Sequence, residues 1–416
     1  MQGKDTTIST FDQLFKLFSI EKFQQLLDEL GVDKYTKKLY TTQLIMLMAY
    51  AQLEQHRGLR DISNSLNDPN FSQAIDLEAI SFAQISRRLN ALPTEIPEGL
   101  FKLLTFEILK NNGVNALNKH FQHLHLIDST TISLCFTDYP WAEFRQTKAG
   151  IKLHLRLRFF EKGVLPDEVV VTPAKPADKT QMDALVVEDE KALNVFDRAY
   201  VDYRKFDHYC EKGIRFVTRL KSNALKEVVQ ELPANSNSPI TKEQIVYLGN
   251  PYTYQMKHKL RLIETMDIEG KPVIILTNDI NLGAEEIGDI YKNRWQIELF
   301  FKWLKQHLKV KHFYGKSEQA VKNQLFIALI TYCLLKLLEL KTGYQGPLLT
   351  IKRLLKTCLY EPFTSFVQKL YKQPIRYSRG RRRQPDHEAI YQETLRQVIA
   401  AEADHLNDLT YDPVIL

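Results

Sequence analysis

The sequence predicts a mixed α/β protein, with a helical N-terminal region, a strand-rich centre and a helical C-terminal region. Three observations carry this. Up to about residue 118, apolar positions such as Phe11, Leu14, Phe15 and Phe18 recur at helical spacing, and strand-like alternation is scarce. In GIKLHLRLRFF (150–160), Ile151, Leu153, Leu155, Leu157 and Phe159 alternate with Lys152, His154, Arg156 and Arg158. That period of two gives a strand with one apolar and one basic face. From Glu285 the helical pattern returns and continues, with an interruption, to Lys341.

Composition narrows the class. The chain has 416 residues, enough for two to four domains, and its 44% hydrophobic and 25% charged residues are those of a soluble globular protein. A net charge of +6 does not by itself demand nucleic acid, so the placement of charge matters more than its sum. Cysteines 135, 210, 333 and 358 form no C-x-x-C pair, which argues against a zinc ribbon or a disulfide framework and fits a reducing cytoplasm. The first residues carry early acidic groups and no long apolar run, so a secretory signal is not expected. Leu325 to Leu340 is the most apolar stretch. It is short for a membrane span and contains Lys336 and Glu339, so it reads as a buried core helix.

In the N-terminal region, LRDISNSLND (59–68) and SFAQISRRLNAL (81–92) read as two short helices separated by a polar link, with Ser81 capping the second. This is either a DNA-binding unit carrying Arg87 and Arg88 or an ordinary helical hairpin. The central region reads as strands at 123–134, 150–160 and 168–172, a helix at 180–193, a strand at 194–201, a helix at 205–213 and a strand at 214–221. Residues 223 to about 280, with the turn-rich PANSNSP (233–239), read as a β-rich insertion. The segment IRYSRGRRRQP (375–385) would be either a DNA-backbone contact or a solvated loop. His123 and His125 would share a strand face, but no acidic or cysteine partner is near them in sequence, so they read as core or surface histidines.

The segment YKNRWQIELFFKWLKQHLK (291–309) is the most informative. On one helix at about 100° per residue, Tyr291, Arg294, Glu298, Lys302, Lys305 and Lys309 would share an arc of roughly 80°, with Trp295 at its edge. Ile297, Phe300, Phe301, Leu304 and Leu308 would form a separate apolar stripe. Glu–Lys pairs four apart explain the charges as a solvated face. They do not explain the two aromatic rings. Cations interleaved with rings suit a nucleic-acid groove, where cations meet phosphates and rings meet bases.

Tyr291-x2-Arg294-x3-Glu298-x6-Lys305 resembles the Y-R-E-K signature of the insertion-sequence-4 family of bacterial DDE transposases at every spacing. Upstream, Leu126-Ile127-Asp128-Ser129-Thr130-Thr131 resembles the family's first aspartate motif. Asn194-Val195-Phe196-Asp197-Arg198-Ala199-Tyr200 resembles its second. The resemblance covers about residues 120–340. It implies a ribonuclease-H-like catalytic core at 119–222 and 285–341, interrupted by the β-rich insertion at 223–284. A helical, DNA-binding region at 1–118 would precede it, and a helical, basic region at 342–416 would follow.

The resemblance also implies the chemistry. Asp128, Asp197 and Glu298 would hold Mg2+, with Mn2+ able to substitute. Hard oxygen ligands suit magnesium, and a pair of metal ions suits in-line displacement at phosphorus. Arg294 and Lys305 would hold phosphates near the scissile bond, and Tyr291 would donate a hydrogen bond to one. Lys302 would contact DNA. Trp295 would stack on a displaced base if the reaction passes through a hairpin. Arg219 and Lys221 would be backbone contacts or ordinary surface charges. The partners implied are double-stranded DNA, as terminal inverted repeats and target, and a second copy in the synaptic complex, with no membrane. Two other readings stand beside an active transposase. One is a catalytically silent DNA-binding relative. The other is a ribonuclease-H-like nuclease that cleaves without joining.

Overall fold

The computed structural model describes residues 8–111, 123–145, 148–160, 163–233, 238–266 and 271–372, together with 392, 393, 395 and 396. The arginine cluster at 376–383 lies outside them. The chain opens with helices α1 (Thr10–Phe15), α2 (Glu21–Glu29), α3 (Thr41–Glu54), α4 (Leu59–Asn64), α5 (Pro69–Ile75), α6 (Phe82–Ala91) and α7 (Glu95–Asn111). Strands β1 (Leu124–Leu134), β2 (Glu143–Arg145), β3 (Lys148–Phe160) and β4 (Gly163–Pro173) follow. Next come α8 (Met182–Leu185), β5 (Leu193–Phe196), α9 (Tyr203–Glu211) and β6 (Arg215–Leu220). The expected insertion supplies β7 (Lys226–Leu232), β8 (Ile240–Asn250), β9 (Tyr254–Gln255), β10 (Leu260–Met266) and β11 (Pro272–Thr277). Helices α10 (Ala284–Lys292), α11 (Trp295–His307), α12 (Glu318–Thr342), α13 (Leu348–Cys358) and α14 (Phe363–Leu370) end the described order.

Two compact units result: Met1–Gly113 with Glu298–Leu416, and Val114–Ile297. The described residues of the first are helical. Phe11, Leu14, Phe15 and Phe18, spaced for one helical face, are all buried, because that spacing turns them to the same side. The long α12 is buried almost all round, which explains its apolar sequence. Lys336 and Glu339 within it pair at 2.9 Å, so the two charges neutralise each other inside the protein. Among the described residues no helix is long and apolar enough to cross a membrane.

The second unit is built on a mixed eleven-stranded sheet in the order β2-β3-β1-β5-β6-β11-β10-β8-β7, with β4 on β3 and β9 on β8. β1 runs parallel to β5, and β5 to β6. Strands β7 to β11 therefore extend the same sheet, through β11 antiparallel to β6. Ile127, Phe196, Phe206, Phe216, Met182 and Leu185 share one core that packs α8 and α9 on the sheet. Asp202 caps α9 by accepting from the amides of Arg204 and Lys205. Buried Asn194 bonds both to Val187 and to the Arg215 carbonyl, which fixes β5 beside β6.

Three sequence expectations need correction. The helix expected over 180–193 is a 3-10 turn at Asp178–Gln181 followed by one α-turn, α8. The strand β5 already begins at Leu193, and the intervening Val187 is held by Asn194 instead of by helical bonds. The link between 59–68 and 81–92 is not simply polar loop: it contains α5, whose Phe71 and Ile75 are buried. Ser81 does cap α6, in a capping box with Gln84. Finally, residues 291–309 are not one helix. The Asn293 side chain turns back to the Asp289 carbonyl, and Arg294, Gln296 and Ile297 take i−3 bonds across the junction of α10 and α11. This is a tight 3-10 connection.

Candidate active site

The site grows out of strand register. Leu126 lies opposite Val195 and Ile127 opposite Phe196 in the parallel β1–β5 pair, so the next step sets Asp128 beside Asp197. Phe196 lies opposite Thr218 in the parallel β5–β6 pair, so the same step sets Asp197 beside Arg219. Neighbouring strands are about 4.8 Å apart. Two acids and a cation thus stand in a row across three adjacent strands, Asp128 within β1, Asp197 just past β5 and Arg219 near the end of β6. Fully buried Leu126, Ile127, Val195 and Phe196 precede the two acids and hold them at the edge of the core.

Both aspartates are held in the same way. Asp128 Oδ1 accepts the Ser129 amide at 2.7 Å, and Asp197 Oδ1 accepts the Arg198 amide at 2.7 Å. Arg294 Nη1 donates to Asp128 Oδ2 at 3.1 Å. The Arg294 guanidinium also lies 5.9 Å from the centre of the Tyr291 ring. Burial pushes the Tyr291 phenol up to about 12, with Asp197 adding to the shift and Arg294 and Arg219 opposing it. Tyr291 is therefore a neutral donor throughout the physiological range. Tyr200 is buried near Asp128, Asp178 and Asp197. Burial first, and those carboxylates next, hold its phenol far above the ordinary range.

The structure thus brings Asp128, Asp197, Tyr291, Arg294 and Arg219 together in one unit. Lys221, exposed, follows one residue beyond β6, and half-buried Trp295 opens α11. Glu298, Lys302 and Lys305 follow on α11 and belong to the helical unit. There the apolar stripe expected from sequence is realised: Phe300, Phe301, Leu304 and Leu308 are buried, and Leu299 and Trp303 join them. Trp303 packs edge-on against Tyr332 of α12 with centroids 5.2 Å apart, as does Phe300 at 4.9 Å. The break at Asn293–Arg294 means that Tyr291 does not share a helical arc with Glu298, and Lys309 lies beyond the end of α11. Burial lowers the Lys302 ammonium from its ordinary value. Among the described residues, no group of three or more histidine, cysteine, aspartate and glutamate side chains is gathered so as to hold a metal ion. Sequence reasoning missed Asp178, and it gave Tyr200 no role beyond its place in the second aspartate motif. Asp178 follows a proline-rich turn with no spacing signal, and only its contact with Ser129 reveals it.

Two aspartates on neighbouring parallel strands thus lie with two arginines and a neutral phenol in a mixed α/β fold. Residues 120–334 match the family described as "Transposase DDE domain", and residues 6–70 match a "Domain of unknown function (DUF4372)". The chain belongs to the DDE transposase family and is an enzyme acting on DNA. It is 29% identical over 347 residues to the "Probable transposase for insertion sequence element IS5377" of Geobacillus stearothermophilus, covering 82% of this chain and 88% of that one. It is 32% identical over 245 residues to the "Putative transposase y4zB" of Sinorhizobium fredii, covering 57% and 67%. It is 27% identical over 248 residues to the "Putative transposase for insertion sequence element IS4SA" of Synechocystis, covering 58% and 68%.

Proposed function

We propose that this transposase binds the terminal inverted repeats of an insertion sequence and cuts and joins DNA at a magnesium site formed by Asp128, Asp197 and Glu298. The observation that carries this is the shared register of Asp128 and Asp197 on parallel strands, with Arg294 bonded to the first and Arg219 beside the second. The donor set suits the metal: carboxylate oxygens are what Mg2+ takes, and Mn2+ accepts the same ligands. Bound divalent ions would activate the attacking oxygen and stabilise the leaving one.

The protein's own groups position the DNA. Arg294 and Lys305 hold phosphates next to the scissile bond, and Arg294's flat fork suits two phosphate oxygens at once. Tyr291, kept neutral, donates to a phosphate oxygen. Lys302, Arg219 and Lys221 meet the backbone, and Trp295 stacks on a displaced base. In this reading residues 119–222 and 285–341 form a ribonuclease-H-like core, 223–284 its insertion, 1–118 a DNA-binding region and 342–416 a basic helical region. The synaptic complex is a homodimer in the bacterial cytoplasm, on the nucleoid.

The test is cleavage and strand transfer on duplexes carrying the element's ends, with Mg2+, Mn2+ or chelator. The expected result is metal-dependent cleavage plus joined product, lost in Asp197→Asn and Glu298→Gln while gel-shift binding persists. Full activity in either variant overturns the site. Cleavage with no joined product overturns strand transfer.

A further inference from the structure

Asp178 stands on the 3-10 turn that follows β4, and its Oδ1 gathers two donors from the central strands, with a histidine ring nitrogen near it. Ser129 Oγ donates to it at 2.7 Å, Lys152 Nζ lies at 3.1 Å and His154 Nδ1 at 3.7 Å. Lys152 and Asp178 are 13% and 18% exposed, and the His154 side chain is fully buried. An acid drawn this far out of water needs partners, and it has found them on one face of the sheet. In the β1–β3 register Ser129 lies opposite His154 and Thr131 opposite Lys152, so Ser129, His154 and Lys152 share that face. Asp128, one residue from Ser129, belongs to the other face.

The link to the site is short. The hydroxyl of Ser129 is fixed by Asp178, and the amide of the same residue donates to Asp128 Oδ1 at 2.7 Å. Lys152 is tied a second time, to the Pro176 carbonyl at 3.1 Å, which anchors the turn carrying Asp178. We propose that Asp178 is a positioning residue for Asp128: it clamps Ser129 from behind the sheet and so fixes the amide that orients the carboxylate. This rests on the reading of Asp128 as a metal-holding group. Groups that orient a ligand in this way change metal affinity or activity by about 10–100-fold when removed.

The experiment is Mn2+ binding to the full chain without DNA, followed by electron paramagnetic resonance, with thermal melts of every variant. Asp128→Asn reports on the underlying reading and is expected to lose the binding. Asp178→Ala and Ser129→Ala are each expected to weaken it by about tenfold. The double variant is expected to be no weaker than Asp178→Ala alone, because both act through one hydrogen bond. Asp178→Asn, which keeps an acceptor for Ser129, is expected to recover part of the loss. If Asp178→Ala does not fold, Ser129→Ala, which removes one hydroxyl, decides. Parental affinity in Ser129→Ala and Asp178→Ala, with Asp128→Asn deficient, overturns the clamp alone. Losses that multiply in the double variant overturn it as well. Parental affinity in Asp128→Asn overturns the metal reading, and the clamp with it.

Discussion

Arg294 Nη1 lies 3.1 Å from Asp128 Oδ2, with the two side chains only 17% and 16% exposed. A guanidinium thus neutralises one oxygen of the carboxylate that the proposed chemistry needs. Arg294→Ala leaves that carboxylate without this partner in a poorly hydrated place. The expected cost is about 1–3 kcal/mol, because removing one partner of a charged hydrogen bond exposes the desolvation of the other. The urea midpoint measures it, and adding Asp128→Asn in the same background should restore part. An unchanged midpoint in Arg294→Ala would show that the pair carries no stability. Arg294→Lys keeps the charge but loses the planar fork. Its cleavage rate is expected to fall at least tenfold, about the 1.4 kcal/mol of one good hydrogen bond.

Arg87 and Arg88 are adjacent on α6 but do different work. Arg88 donates to the Leu39 and Val32 carbonyls, to Thr41 Oγ1 and, at 2.7 Å, to Asp33. Arg87 is exposed. Arg88→Ala should therefore destabilise the chain by about 2–3 kcal/mol, since several buried acceptors lose their donor together. Arg87→Ala should leave the melting temperature within about a degree. If α6 meets DNA, Arg87→Ala also flattens the salt dependence of binding by about one phosphate contact. Equal loss of stability in both variants would contradict this division.

These two arginines show where sequence stops being legible. Both sit in the same motif-like run, and only the fold reveals that one is a clamp on the loop before α3. The strands were readable because alternation is local: Ile151 to Leu157 are buried at every second position. The two aspartates were readable from short motifs, although the register that joins them depends on pairing residues about 70 apart in sequence. Long-range contacts leave no periodic trace, so Asp178 could not be found. The unbroken helix over 291–309 failed for a local reason. Periodicity averages over a window, and a single asparagine that bonds back to Asp289 interrupts the helix without disturbing the apolar stripe.

The stripe itself makes a prediction. Trp303 is fully buried and, with Phe300, seats α11 on Tyr332. Trp303→Ala removes a large side chain from a packed core, at a cost of about 3–5 kcal/mol. Trp303→Phe keeps a ring in the same place and should cost less than half as much. Because Glu298 is carried on this helix, cleavage by Trp303→Ala should fall even at temperatures where the protein is folded by circular dichroism. Parental cleavage in a folded Trp303→Ala would separate the seating of α11 from the placement of Glu298.

Two buried histidines on neighbouring strands set the acid limit of the sheet-bearing unit. Burial lowers His125 to about 3, with Arg156 and Arg158 adding to the shift. Burial lowers His154 to about 4, against the opposing pull of Asp178. An unfolded histidine titrates near 6.5. Between these values the unfolded chain binds protons that the folded chain refuses, so stability rises with pH. The contribution is fully present above about 6.5 and is lost as pH falls toward 4. Each histidine should add a slope on the order of 1 kcal/mol per pH unit in that window. Urea unfolding at pH 7, 6 and 5 measures it. His125→Phe cannot take up the proton, so its midpoint should fall less steeply with acid than the parent's. An identical pH dependence in that variant would mean that His125 is already charged in the folded protein.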